Sequence, residues 1–279
     1  MFEPQAALPA GQVAVVTGGG FNIGRAVALR LAALGLRVTV ASRTAARLHV
    51  VVDEIERAGG SALAVPCDVV HPEQLERVVA ETVRRFGRVD LMVAAAGGSG
   101  AHLPVGEVDP EIWRTVVANN LFGTFHCAHA VLPRFRAQGS GHLVHFAGGG
   151  AFFPMLGVHA TAYASAKAAI CRFTDQLQAE LLDTAIRVNC VDPGEVWSPK
   201  QRVAIEAEER RTGQPHPGRH RAVPAELAAD LIAFLHGPAG SAVRGRLVSV
   251  HDRWWHDPEE VAGVEQSVAR YRLRRHDGP

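Results

Sequence analysis

The stretch Val13-Ala14-Val15-Val16-Thr17-Gly18-Gly19-Gly20-Phe21-Asn22-Ile23-Gly24-Arg25 decides the fold. It opens on an unbroken apolar run, as a strand covered on both faces requires. Glycines then crowd a turn, and Val27, Leu31 and Leu34 follow at helical spacing. Strand, glycine-rich turn and helix in that order set a pyrophosphate on helix N-terminal amides. Glycine lets the backbone approach phosphates without a Cβ in the way. Thr17, Gly18, Gly20, Asn22, Ile23 and Gly24 are therefore candidate dinucleotide-binding residues.

Outward from this stretch the pattern repeats. Further short apolar or β-branched runs lie at Arg37–Ala41, Ala62–Pro66, Leu91–Ala95, His142–Phe146, Arg187–Val191 and Arg246–Val250. Segments of helical period lie between them, such as Leu75, Val78, Val79, Thr82, Val83 and Phe86. This order predicts one α/β domain with a doubly wound parallel sheet of about seven strands. Two segments depart from the alternation. Residues 198–222 are rich in Arg, Glu, Gly and Pro, and read either as an irregular lid over the sheet edge or as a surface loop. Residues 252–279 form a C-terminal extension. Its Trp254-Trp255 pair should pack on the domain or on another subunit, because two adjacent exposed tryptophans are unfavourable.

The 279 residues carry a net charge of +1, with 20% charged and 47% hydrophobic residues. That balance gives no general attraction to nucleic acid or anionic membrane. The tail arginines Arg270, Arg272, Arg274 and Arg275 read as solvated. Four cysteines, Cys67, Cys127, Cys171 and Cys190, sit in apolar stretches without a CxxC pair, as reduced buried thiols do. His126 and His129 lack the further ligands a metal needs. No apolar run approaches the ~20 residues of a membrane span. Met1–Ala10 lacks the basic and apolar regions of a signal peptide, so a cytoplasmic protein is expected.

Candidate chemistry lies at the strand ends. The second strand ends at Ser42-Arg43 rather than at an acidic residue that would accept from ribose hydroxyls. A guanidinium suits a 2′-phosphate, so NADP(H) is favoured and NAD(H) remains possible. Asp68 could accept from an adenine amino group or cap its own turn. Tyr163 and Lys167 stand four apart, on one helix face. An ammonium beside a phenol lowers the phenol's pKa, giving an acid–base group for an alcohol or carbonyl.

Together these residues resemble the short-chain dehydrogenase/reductase family over nearly the whole chain. Thr17–Gly24 is similar to its cofactor turn, and Asp68-Val69 to its adenine-side pair. Gly87-Arg88-Val89-Asp90 resembles its lead-in to the fourth strand. Asn120-Leu121-Phe122-Gly123-Thr124-Phe125 looks like its NxxGxF segment. Tyr163 and Lys167 match its catalytic pair, and Pro193-Gly194 with Val196 and Ser198 its segment beside the nicotinamide. The resemblance implies a Rossmann-type fold and hydride transfer between nicotinamide and a ketone or secondary alcohol. Tyr163, Lys167 and Asn120 would be catalytic, with Asn120 holding a relay water. It also implies a small-molecule substrate and a homodimer or homotetramer.

Three departures stand out. Asn22 replaces the second glycine of the turn, and Asn tolerates left-handed backbone better than most residues. Ala94-Ala95-Ala96-Gly97 replaces the family's NNAG, with Ala95 and Gly97 still expected beside the cofactor. The family's serine upstream of the tyrosine is missing. Counting back from Tyr163 places it on Gly150, and counting from the strand places it near Gly148. No serine lies between Gly141 and Ala160. Thr161, His159 or a backbone amide could substitute, and losing such a donor can cost a few kcal/mol in the transition state. The gap leaves a second reading: a cyclase, dehydratase or isomerase on the same fold, with the glycine run enlarging the pocket. A third is a non-catalytic dinucleotide-binding protein. Phe152, Phe153, Met155 and Trp197 are candidate pocket walls.

Overall fold

A computed structural model describes residues 8–100, 102–267 and 270–272. Seven strands form one parallel sheet in the order β3-β2-β1-β4-β5-β6-β7. They are β1 (Val13–Thr17), β2 (Arg37–Ser42), β3 (Ala62–Pro66), β4 (Leu91–Ala94), β5 (Ser140–Phe146), β6 (Ala185–Asp192) and β7 (Leu247–Ser249). The order reverses between β1 and β4, so a crevice opens at their C-terminal ends.

Alternation along the strands assigns side chains to two cores. Ala14 and Val16 of β1 face a core with α1 (Asn22–Ala33), α2 (Ala45–Arg57) and α8 (Ala225–His236). Val15 faces the opposite core with α3 (Pro72–Phe86), α5 (Gly123–Gln138) and α6 (Thr161–Glu180). Apolar residues on both sides of one strand explain the unbroken run in the sequence.

Residues 198–212 are not irregular. Pro199–Thr212 is a helix, α7, that buries none of its residues. Its ends explain it: Ser198 and Gln201 form a reciprocal capping box, Pro199 stands at the first turn, and Gly213 stops it. Arg219 pairs with Glu209, tying the following loop back to α7.

Trp254 and Trp255 are buried, and both rings lie against Phe234 of α8. Arg246 is buried among tail carbonyls. It donates to Val264 O at 2.7 Å, Ser267 O at 2.5 Å and Arg270 O at 2.8 Å. The first two lie at the end of α9 (Pro258–Gln266), where a cation complements the helix dipole. Leu247 N donates to Tyr271 O at 2.7 Å, so the tail covers the edge strand β7. Arg274 and Arg275 lie outside the described residues, as does most of Met1–Ala10.

Candidate active site

The turn after β1 is built for close backbone approach. Gly18 has φ +67, and a Cβ on it would stand 2.9 Å from Ala95 O. A Cβ on Gly24 would stand 2.3 Å from Gly18 O, so only glycine lets α1 begin against the turn. Asn22 adopts φ +46, the left-handed conformation expected for it.

Two hollows meet at this turn, of about 450 and 510 Å³. They share Gly18, Ser42, Arg43, Ala96, Gly97 and Gly98. The first continues to Asp68 and Val69, and the second to Tyr163, Lys167, Pro193 and Val196. Gly20, Asn22, Ile23, Gly24 and Ala95 also line the second. A cleft in two joined halves around a glycine turn fits the two halves of a dinucleotide. Asp68 lines the first hollow and also closes its own turn, its Oδ1 accepting from Val70 N at 3.3 Å.

Four predicted residues do not line either hollow. Thr17 is fully buried behind it and accepts from Ala96 N at 3.3 Å. Gly194 packs under His251, Val223 and Val250. Ser198 is the cap of α7. Asn120 lies in a π-helical turn (Ala118–Phe122) that interrupts the passage from α4 (Pro110–Val117) to α5. Such bulges recur at functional sites. The turn leaves Asn120 donating to Gly98 O at 2.9 Å and Val116 O at 2.8 Å. It holds the cleft wall from behind.

The sequence did not single out Arg47. Its guanidinium lies 4.9 Å from the Phe21 ring centroid, on the same rim as Arg43. A basic residue one helical turn past the strand end was the available signal. Cys67, Ile112 and Asn119 on the first hollow carried none.

Tyr163 and Lys167 share the face of α6 toward the second hollow, with Lys167 Nζ 5.5 Å from the Tyr163 ring centroid. Their electrostatics differ from the expectation. Burial, then the Asp192 carboxylate, pushes the Tyr163 phenol up to about 12. Burial pulls the Lys167 ammonium down to about 8. Lys167 instead donates to Phe146 O at 3.0 Å. A buried ammonium turned to a carbonyl cannot outweigh the desolvation of the phenolate.

The glycine run is not empty space. A Cβ on Gly148 would stand 2.5 Å from the Tyr163 hydroxyl. One on Gly149 would stand 2.6 Å from Met155 Sδ, and one on Gly150 2.5 Å from Ala164 Cβ. The room expected for a larger substrate is filled by these neighbours. Thr161 does not cap α6; Ala160 holds that position, and the Thr161 hydroxyl accepts from Trp113 Nε1 at 3.3 Å. His159 is exposed.

The sequence pattern described as short chain dehydrogenase matches residues 12–209. The chain is 36% identical over 258 residues to the short-chain reductase protein NovJ of Streptomyces niveus, covering 92% of this chain and 87% of that protein. A variant actinorhodin polyketide ketoreductase, solved with NADPH, superposes with TM-score 0.77 at 32% identity, covering 86% of this chain and 95% of that one. A 7α-hydroxysteroid dehydrogenase, solved with NADH and 7-oxo glycochenodeoxycholic acid, superposes with TM-score 0.79 at 28% identity, over 89% and 96%. With the parallel sheet, the glycine turn and the Tyr163–Lys167 face, these likenesses show that the chain belongs to the short-chain dehydrogenase family.

Proposed function

We propose that this oxidoreductase uses NADP(H) to reduce a ketone to a secondary alcohol, with Tyr163 as the proton donor. One observation carries the reading: the Tyr163 hydroxyl and the Lys167 face lie in the wall of a cleft continuous with the glycine turn. When bound, the nicotinamide supplies the hydride. A phenol held up at about 12 is protonated across the physiological range, as a donor to a developing alkoxide must be. Lys167 stabilises the charge left on the phenol and holds the nicotinamide ribose. Asn120 acts on the cleft through the wall it holds at Gly98. Gly18, Gly20, Asn22, Ile23 and Gly24 carry the pyrophosphate side, with Thr17 bracing the turn from behind. Asp68 and Val69 carry the adenine side, and Ala95, Gly97, Pro193 and Val196 the nicotinamide side, with Gly194 and Ser198 shaping the segment behind them.

We take Gly148 as the position of the family's serine, because a Cβ built on it would point at the Tyr163 hydroxyl, 2.5 Å away. The close packing of Gly148–Gly150 removes the enlarged pocket that favoured a non-redox reading. Reduced cofactor should be consumed one for one with alcohol formed, followed at the reduced-nicotinamide absorbance band. Product formed without that loss of absorbance would overturn the assignment.

Ser42 and Arg43 at the end of β2 support NADP(H) over NAD(H), because neither repels a phosphate dianion and Arg43 can bind it. Arg43→Ala should raise the KM for NADPH about 10- to 100-fold, a charge-assisted bond being worth about 1.5–3 kcal/mol, and leave NADH unchanged. An equal change for both cofactors would remove Arg43 from the phosphate.

The same reading takes residues 198–222 as a lid, with α7 as its rigid part. It places the protein in the cytoplasm as a homodimer or homotetramer. The exposed Phe122 and Phe125, beside Phe173, support the subunit contact.

A further inference from the structure

Helix α6 runs back along β6, and its contacts fix the register between them. Gln178 Oε1 accepts from Val188 N at 2.8 Å. Nearer the cleft, Cys171 packs with Cys190 in a small buried cluster, their thiols hydrogen-bonded. The next step up the helix reaches Lys167 and then Tyr163, and the next step up the strand reaches Asp192. Side chains two apart on a strand share a face, so Asp192 lies on the α6 side with Cys190. Val191, between them, faces the opposite core. The last residue of β6 thus stands level with the Tyr163–Lys167 pair, and its neighbour Pro193 lines the same hollow.

The Asp192 carboxylate is held at both oxygens. Oδ1 accepts from Gly194 N and Oδ2 from Ser249 Oγ, each at 3.2 Å. Ser249 is its direct partner on β7. The other titratable groups around the pair are Cys171 on α6, His145 on β5 and Cys190 on β6. Asp252 and His251 follow Ser249, and Asp252 Oδ2 accepts from Ser249 N at 2.8 Å. Burial, then Lys167, keeps His145 uncharged, and burial, then Cys171, holds the Cys190 thiol well above its usual value. To stabilise the charge left on the phenol, Lys167 must be an ammonium. Burial works against that, and Cys190, Cys171 and Asp192 oppose it. Asp192 is the carboxylate among these three.

We propose that Asp192 is a positioning residue for ketone reduction, its fixed carboxylate facing Lys167 from β6 and keeping that side chain an ammonium in the cleft wall. The proposal rests on the function stated above, and Asp192 acts through Lys167 rather than on the substrate. The chain has only two lysines, Lys167 and Lys200. In Lys200→Arg protein made with isotope-labelled lysine, the single lysine signal in carbon NMR is Lys167. Its shift against pH reads the ammonium directly. Asp192→Asn removes the charge and still closes the turn to Gly194 N, as Asn does in such turns. Lys167 should then lose its proton about one pH unit lower. The alkaline limb of kcat for cyclohexanone reduction by NADPH should fall by the same amount, because Lys167 loses its proton before Tyr163 does. Asp192→Ser carries the same expectation and serves where Asp192→Asn does not fold.

An unmoved Lys167 midpoint would overturn the proposal. So would a moved midpoint with an unmoved kinetic limb, because the charge would then not reach the reaction. A larger shift in Cys171→Ala than in Asp192→Asn would make the thiol the source of the charge and overturn it too. If the wild type reduced no cyclohexanone, the proposed function would fail at that substrate. The lysine titration needs no turnover and would still decide the inference: a lower midpoint without the carboxylate supports it, and an equal one overturns it.

Discussion

Tyr163→Phe is expected to lower kcat about a thousandfold while leaving the affinity for NADPH unchanged. The substitution removes one oxygen and keeps the ring that lines the cleft. Positioned proton transfer contributes about 10²–10⁴ in rate, and a missing serine leaves no neighbouring hydroxyl to share the task. Besides Tyr163 itself, the side chains nearest the glycine run are Lys167, Met155 and Ala164, and the last two carry no exchangeable proton. Thr161 is held by Trp113, and Lys167 by Phe146 O. Cofactor affinity, read by fluorescence titration of NADPH, separates this loss from a damaged fold. A variant retaining more than about a tenth of the activity would move the proton to another donor. Loss of NADPH affinity in parallel would make Tyr163 a structural wall.

The parts of this site legible in the sequence are those set by local backbone chemistry. The strands announced themselves as apolar runs because both sheet faces are covered. Asn22 could be read as left-handed because few other residues accept that conformation without glycine. Tyr163 and Lys167 could be placed on one face because helical spacing is fixed. What was hidden depends on neighbours far along the chain. The space beside Gly148 is taken by a hydroxyl fifteen positions away, and a glycine run alone cannot say whether it borders a void or a side chain. The pKa directions reversed for the same reason, because burial of Lys167 is a property of the fold. α7 was misread because it buries nothing and so has no apolar period. Its caps at Ser198, Gln201 and Gly213 were the only signal. The π-helical turn at Asn120 left none.

Acid is expected to unfold the protein well before its carboxylates titrate, because three histidines are buried uncharged inside the sheet layers. His142 Nε2 on β5 accepts from Asn189 Nδ2 at 3.1 Å, and its ring stacks on His236 at 5.6 Å between centroids. His236 meets Gln12 Oε1 at 3.0 Å, and His145 meets Thr174 Oγ1 at 2.9 Å. Each has one ring nitrogen buried without a partner among the described residues. Burial, reinforced by Lys167, pulls His145 down to about 3. Burial and Arg187 pull His236 down to about 4, against a small opposing pull from Asp90. Burial, then Arg187, holds His142 well below its usual value. The folded-state values lie below the unfolded value near 6.5, so the unfolded chain binds these protons first. Stability is complete above about pH 6.5 and falls as pH drops toward the folded values, by about 1.4 kcal/mol per pH unit for each histidine. Three together remove about 4 kcal/mol per pH unit, against a total of about 5–15 kcal/mol for a domain. Unfolding free energies from urea titrations at about pH 7.5 and pH 5 should differ by several kcal/mol, and His145→Gln should remove about one third of that dependence. Equal unfolding free energies at the two pH values would mean that these rings reach water in the folded state. Activity should fall with the fold. His145 is the residue before Phe146, whose carbonyl holds Lys167, so a proton forced onto that ring disturbs the strand that positions the Tyr163 face.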